Sequence, residues 1–332
     1  MEHTNVPREG VPLLAKLAAR CVNLPAPSPG KGEVRIKTAA CAICATDLEM
    51  IEGCKRSRFS QILGHEWSGI IDAAGEDTDA RLVGSPCVAE NVLTDGGEVG
   101  FERPGGYAEY FITEAKNIHV LPADYPLVTA ALIEPLAVAV RGFKRLRIED
   151  RNSALIFGDG PIGLIMLMLL KRGGVKKIVL VGGRARRLDL AAEFGATHLL
   201  NYHDFGEDLA TAIAKTSTDL FANVIEASGS AAAMRACLDL AKPCGHILML
   251  GDYGTERASF PWLHFLQCEL ELIGSNASAG AWPEAVDLAV SGEIPLHRLA
   301  THVISPGEFE EGLNWVRGHR GDVLKVILDW SK

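Results

Sequence analysis

Between a short apolar run, Ala154-Leu155-Ile156-Phe157, and a longer one, Ile162 to Lys171, the chain reads Gly158-Asp159-Gly160-Pro161-Ile162-Gly163. A Gly-x-Gly-x-x-Gly turn that leaves a strand and opens a helix is the pyrophosphate seat of a doubly wound α/β domain. Each glycine has its own task. Gly158 permits the tight turn, Gly160 lets a pyrophosphate approach the backbone, and Gly163 lets helix and strand pack closely. Pro161 suits the first helical turn, where its missing N–H costs nothing, and Ile162 completes the binding segment. The flanking strand and helix argue against a glycine-rich turn that binds nothing.

The texture around this turn supports the same fold. Ile178–Val181, His198–Leu200, Val224–Ala227 and His246–Leu250 are short apolar runs separated by helix-length segments, which predicts a parallel, doubly wound sheet. Upstream, residues 33–40 alternate like a half-buried strand, and glycine-punctuated short strands continue to about Val120. After Gly274 the pattern is mixed, with a helix over Trp282–Ser291 and a terminal strand over Leu324–Leu328. At 332 residues the chain is long enough for two sizeable cores.

Composition narrows the partner. A net charge of −9 argues against a nucleic-acid or anionic-membrane surface, which leaves a small molecule. Eight cysteines are scattered through a chain with no basic-then-apolar leader, so reduced thiols and a cytosolic location are expected. The apolar run Pro161 to Leu170 is too short to span a bilayer.

Cofactor choice should be written about 20 residues beyond the last glycine, where an acidic side chain would hold the ribose 2′-hydroxyl of NAD. That position is Gly183, followed by Arg184, Ala185, Arg186 and Arg187. Arginines in the first turn of a helix oppose its macrodipole unless an anion sits there, and a 2′-phosphate is such an anion. NADP(H) is therefore expected in preference to NAD(H); the competing reading makes these arginines a solvated helix face.

Three further stretches carry metal-binding side chains: Cys44-Ala45-Thr46-Asp47, Gly64-His65-Glu66 and Glu134-Pro135. Thiolate, imidazole and carboxylate are the ligands of an open catalytic zinc, with one position left for substrate oxygen. His65 follows Cys44 by 21 residues, so the ligands must converge through the fold rather than in a local knuckle. Cys41 and Cys44 also spell C-x-x-C, a redox or structural-zinc pattern, but no second C-x-x-C follows. A Lewis acid beside a hydride carrier implies alcohol or ketone redox chemistry.

Taken in order, these segments resemble the zinc-dependent medium-chain dehydrogenases/reductases, the superfamily of alcohol, sorbitol and threonine dehydrogenases. Further matching stretches are Pro25 to Val34, Gly64-His65-Glu66-Trp67-Ser68-Gly69, Gly106-Tyr107-Ala108-Glu109-Tyr110 and Glu134-Pro135-Leu136-Ala137. The resemblance implies a GroES-like, mostly β catalytic domain in two pieces, 1–136 and 274–332, around a Rossmann domain, 137–273. It implies that Cys44 and His65 bind zinc, with Glu66 or Glu134 as a further ligand. Thr46 would take the substrate's proton, and Asp47 would orient the zinc-bound histidine. Many relatives have histidine two residues after that aspartate; Glu49 stands there in this chain and is counted with the catalytic set. The lobe that holds a structural zinc should fall between Val88 and Gly105, and Ala89 to Gly105 contains no cysteine, so one zinc is expected. A homodimer or homotetramer acting on an alcohol, polyol or sugar follows from the resemblance. The alternatives are a zinc-free quinone or enoyl reductase and a nucleotide-binding protein without activity.

Overall fold

A computed structural model describes residues 21–51, 62–205, 209–216, 220–254, 256–318 and 321–332. In chain order they form β1 (Glu33–Ile43), α1 (Ala45–Ile51), β2 (Glu66–Ala74), β3 (Pro86–Ala89), β4 (Tyr110–Glu114), β5 (Ile118–Val120), α2 (Leu127–Ala130) and α3 (Ile133–Leu146). There follow β6 (Ser153–Phe157), α4 (Pro161–Arg172), β7 (Lys177–Gly182), α5 (Ala185–Glu193), β8 (His198–Asn201), α6 (Leu209–Thr216), β9 (Phe221–Glu226), α7 (Ala231–Leu240) and β10 (Ala241–Met249). The remainder is α8 (Trp262–Gln267), β11 (Glu271–Gly274), α9 (Trp282–Val290), β12 (Ala300–Ile304), α10 (Phe309–Arg317) and β13 (Lys325–Asp329). The chain divides into two compact units, one running to Glu134 and resuming at Leu296, the other spanning Pro135–Pro295.

The first unit is built on a mixed sheet of order β12-β13-β1-β2-β3-β5, with β4 also paired to β1. Alternation along β1 sends Val34 and Ile36 into a core with Trp67, Ile71 and Phe111. The rings of Trp67 and Phe111 meet edge-on at 4.7 Å between centroids. The C-terminal strand β13 returns antiparallel to β1, from Ala40 opposite Asp329 to Ile43 opposite Val326.

The second unit carries a sheet of order β11-β10-β9-β6-β7-β8. Every pairing in it is parallel. Strand order reverses between β6 and β9, and ligands of such sheets bind beyond the carboxyl ends of the strands at that switch point. Gly158 follows β6 directly, so the glycine turn lies there. Helix α4 is buried from Gly163 through Leu170. An all-round apolar helix of this kind belongs inside a domain rather than on its surface.

The second unit extends past the boundary expected at 274. Arg145 Nε donates to Gly274 O at 2.7 Å and Arg141 to Ala279 O at 2.5 Å, Lys144 pairs with Glu284 at 2.7 Å, and Arg172 with Glu293 at 2.6 Å. These contacts hold α9 to the nucleotide-type unit, and the chain returns to the first unit only at Leu296. Among the described residues no helix is long and apolar enough to cross a membrane.

Candidate functional site

Strand register explains why ligands distant in sequence meet. Ala42 on β1 pairs antiparallel with Glu66 on β2, so Cys44, just past the end of β1, lies beside His65, just before β2 begins. Ile43 pairs with Val326, which brings Lys325 at the start of β13 to the same end of the sheet. The Cys44 sulfur, a His65 ring nitrogen and a Glu66 carboxylate oxygen all lie within 4.8 Å of one another.

The surroundings hold these groups in place. Asp47, fully buried in α1, accepts the Cys44 amide (2.9 Å) and the Tyr107 hydroxyl (2.7 Å) on Oδ2. Its Oδ1 lies 3.4 Å from His65 Nδ1, so Nε2 is the nitrogen left for a metal. Burial would raise the Asp47 carboxyl, but the neighbouring His65 imidazole and the hydrogen bonds from Tyr107 and Cys44 hold it below its ordinary range. Burial likewise opposes the charged form of His65, yet Asp47 and Cys44 push its pKa well above the usual value. The phenyl ring of Phe101 covers the imidazole at 4.6 Å.

Glu66 is buried, and its Oε1 pairs with the equally buried Lys325 ammonium. Burial would lower the Lys325 pKa, but Glu66, Cys44 and Glu134 together push it well above the usual value. Glu66 Oε2 is buried without a hydrogen-bond partner, as are Asp47 Oδ1 and His65 Nδ1. Buried orphan acceptors are rare, and a cation among the three donors would satisfy Glu66 Oε2. The donor set therefore fits zinc: one sulfur, one imidazole nitrogen and one carboxylate oxygen, with a coordination position to spare.

The other expected residues fall around this trio. Thr46 is half-buried, its Oγ1 3.6 Å from the Cys44 sulfur. Glu134, in the first turn of α3, stands outside the trio; burial lifts its pKa to about 7, with His65 and Lys325 opposing and Glu66 and Glu98 adding to the rise. Glu49 is an exposed residue of α1. Cys41 is a fully buried free thiol, and burial, Asp47 and Glu66 push its pKa well up, which disfavours the reactive thiolate a C-x-x-C redox pair uses. Trp67 and Asn91 are packing residues: Trp67 Nε1 donates to Asn91 Oδ1 (3.0 Å), and Asn91 Nδ2 donates to the His65 carbonyl (2.7 Å). Sequence reasoning did not single out Tyr107 or Lys325, whose roles depend on pairings across the sheet.

In the second unit the turn matches its chemistry. Gly158 has φ +119°, a conformation that L side chains rarely adopt. A Cβ on Gly163 would lie 2.1 Å from the Gly158 carbonyl oxygen, whereas one on Gly160 would meet open space. Gly160 is the N-cap of α4 and offers no side-chain cap, with Pro161 and Ile162 opening the helix. The free first-turn amides of such a helix form an anion seat.

The arginine corner differs from the expectation in one respect. Asp159, buried within the turn, accepts the Gly183 and Arg184 amides at 2.9 Å each. Its Oδ1 lies 3.3 Å from Arg184 and 3.6 Å from Arg187. The arginines thus already have one protein anion, and the Arg187 side chain, 11% exposed, is not a solvated face. A Cβ at position 183 would lie 2.3 Å from the ring of the exposed Tyr202, so a side chain there would need Tyr202 to move aside.

Known proteins share both halves. The description "Zinc-binding dehydrogenase" matches residues 161–291, and "Alcohol dehydrogenase GroES-like domain" matches residues 30–123. L-threonine 3-dehydrogenase of Shewanella frigidimarina (strain NCIMB 400) is 30% identical, over 93% of this chain and 96% of that protein. A short chain alcohol dehydrogenase from E. coli CFT073, solved with cofactor NADH, superposes with TM-score 0.84 at 25% identity, over 92% of this chain and 94% of that one. A candidate zinc-binding dehydrogenase from Sinorhizobium meliloti 1021, bound to NADP, gives TM-score 0.86 at 26% identity, over 96% and 97%. This chain belongs to the zinc-type medium-chain dehydrogenase/reductase family, with a GroES-like domain and a Rossmann domain. It is an oxidoreductase of the alcohol dehydrogenase type.

Proposed function

We propose that the protein is a zinc-dependent dehydrogenase that moves a hydride between NADP(H) and a secondary alcohol, polyol or sugar. The observation that carries this reading is the convergence of half-buried Cys44 with buried His65 and Glu66, with Glu66 Oε2 lacking a hydrogen-bond partner. Bound there, zinc would polarise a substrate hydroxyl or carbonyl and favour its oxyanion form. Cys44, His65 and Glu66 would hold it, Asp47 would keep the His65 ring in register through Nδ1, and the Thr46 hydroxyl would pass the substrate's proton outward. Glu134 adds a carboxylate to the same charged cluster, and the similarity to proteins named sorbitol dehydrogenase and D-arabitol-phosphate dehydrogenase inclines the reading toward polyols and sugars.

The nucleotide would lay its pyrophosphate on the turn from Gly158 to Gly163. Its 2′-phosphate would meet Arg184 and Arg187, whose two positive charges exceed the single charge of Asp159; NAD(H), without that phosphate, would bind more weakly.

Metal analysis of purified protein, with turnover measured over alcohols, polyols and sugars with NADP and NAD, tests the reading. Bound zinc near one per chain, lost together with activity in Cys44→Ser and His65→Ala, is the expected result. A metal-free active enzyme would instead indicate a quinone or enoyl reductase. NADPH binding without turnover on any substrate would indicate a nucleotide-binding protein without activity.

A further inference from the structure

We propose that Glu226 is a positioning residue for the nicotinamide half of the dinucleotide: its carboxylate fastens Tyr253 to the Ser228-Gly229 loop and so fixes the surface on which that half rests. The inference rests on the nucleotide reading above, and every residue in it belongs to the second unit.

A doubly wound sheet binds a dinucleotide as two mononucleotides, one to each half of the sheet, beyond the carboxyl ends of the strands. The glycine turn and the Gly183 corner follow β6 and β7, so that half takes the adenosine side. The nicotinamide side then falls to the loops after β9 and β10. Glu226 is the last residue of β9 and pairs with Phe157, the last residue of β6. The next residue, Ala227, donates its amide to the Phe157 carbonyl oxygen at 2.8 Å, and a Cβ on Gly158 would lie 2.8 Å from the Ala227 carbonyl oxygen. The loop after β9 therefore abuts the glycine turn.

Glu226 is completely buried, and its carboxylate is surrounded by donors from both loops. Oε1 accepts the Ser228 amide at 2.8 Å and the Ser228 hydroxyl, while Oε2 accepts the Gly229 amide at 3.2 Å and the Tyr253 hydroxyl. Ser228 Oγ accepts the Ser230 amide at 3.2 Å, which leaves its own hydrogen for Glu226. The main chain repeats the link, because the Glu226 carbonyl oxygen accepts the Leu250 and Gly251 amides at 2.8 and 3.1 Å.

The two loops meet at backbone distance. A Cβ on Gly229 would lie 2.2 Å from the Asp252 carbonyl oxygen, and one on Gly251 would lie 2.4 Å from the Gly229 nitrogen and 2.5 Å from Glu226 Oε2. Ser228 and Asp252 are nevertheless exposed, so the outer side of the paired loops is open to a ligand. Burying a carboxylate costs desolvation, and a fully satisfied buried network specifies one arrangement of the groups around it. Here the groups so fixed are the loops at the switch point, not the core beneath them.

The test titrates the full-length protein with NADPH and with adenosine 2′,5′-bisphosphate, which fills only the adenosine half, by calorimetry. Glu226→Gln keeps the shape but sets an NH2 donor against the surrounding donors, so at least one loop is released. NADPH should bind about tenfold more weakly, as expected for the loss of one hydrogen bond to a charged group, while bisphosphate affinity holds within about twofold. Tyr253→Phe removes a single hydroxyl from a half-buried residue and should give the same selective loss, about threefold or more; it carries the test if Glu226→Gln does not fold. Unchanged NADPH affinity in folded Glu226→Gln, or in Tyr253→Phe, would overturn the proposal. So would equal losses for NADPH and the bisphosphate, the mark of a carboxylate that only stabilises the unit. Wild-type protein that binds NADH but not NADPH would correct the cofactor assignment alone, and the same criteria then apply to NADH against AMP. Wild-type protein that binds neither dinucleotide would remove the nucleotide reading, and this role with it.

Discussion

Lys325 and Glu66, 259 positions apart in sequence, form a buried ion pair beside Cys44 and His65. The pair joins the C-terminal strand to β2 and leaves Glu66 Oε2 buried without a hydrogen-bond partner. Removing one member of a buried pair strands the other charge, which typically costs about 3–5 kcal/mol. Lys325→Met should therefore destabilise zinc-free protein by about that amount in urea denaturation. Zinc-loaded protein should lose less, because a cation at Glu66 supplies the missing positive charge. Equal losses in both forms would show that Glu66 does not face the metal.

Asp47 should act through His65 rather than on substrate. Asp47→Asn keeps the shape but removes the charge beside Nδ1, and an outer partner of a metal-binding histidine is commonly worth about 10–100-fold in affinity. Competition with a chromogenic chelator should show zinc affinity falling within that range. An unchanged affinity would remove Asp47 from the metal centre.

Two glycines of the dinucleotide turn should fail in different ways. Gly163→Ala forces a methyl to 2.1 Å from the Gly158 carbonyl, so the fold must shift; a loss of about 1–3 kcal/mol in stability is expected. Gly160→Ala meets no protein atom within 4 Å, so stability should hold to within about 0.5 kcal/mol while NADPH affinity drops. Thermal unfolding and NADPH fluorescence titration separate the two. Unimpaired NADPH binding by Gly160→Ala would place the nucleotide elsewhere.

Asp159 offsets part of the positive charge of Arg184 and Arg187. Asp159→Asn preserves an acceptor for the Gly183 and Arg184 amides and removes one negative charge from the corner. NADPH should then bind up to about tenfold more tightly, with NADH little changed. A parallel gain for both nucleotides would mean that the arginines do not read the 2′-phosphate.

Local stereochemistry made much of this protein legible from its sequence. Strand-length apolar runs and the glycine turn are near-neighbour patterns, so β6 through β10 and helix α4 fall where the residues predict, and the GroES-like and Rossmann halves follow. Cys44, His65 and Glu66 were identifiable as metal-binding residue types, but their convergence was decided by register. Ala42 opposite Glu66 and Ile43 opposite Val326 bring three distant segments to one end of a sheet. Neither Lys325 nor Tyr107 carries a local signal for its part in that cluster. The same holds at the arginine corner, where Asp159 reaches across from the turn, and at the boundary, where side chains of α3 and α4 hold residues 274–295 to the second unit. The sequence by itself determined which segments become strands, helices and turns, because that depends on neighbouring residues. Only the tertiary structure decided which charges meet, because pairing depends on strand order and register across hundreds of residues.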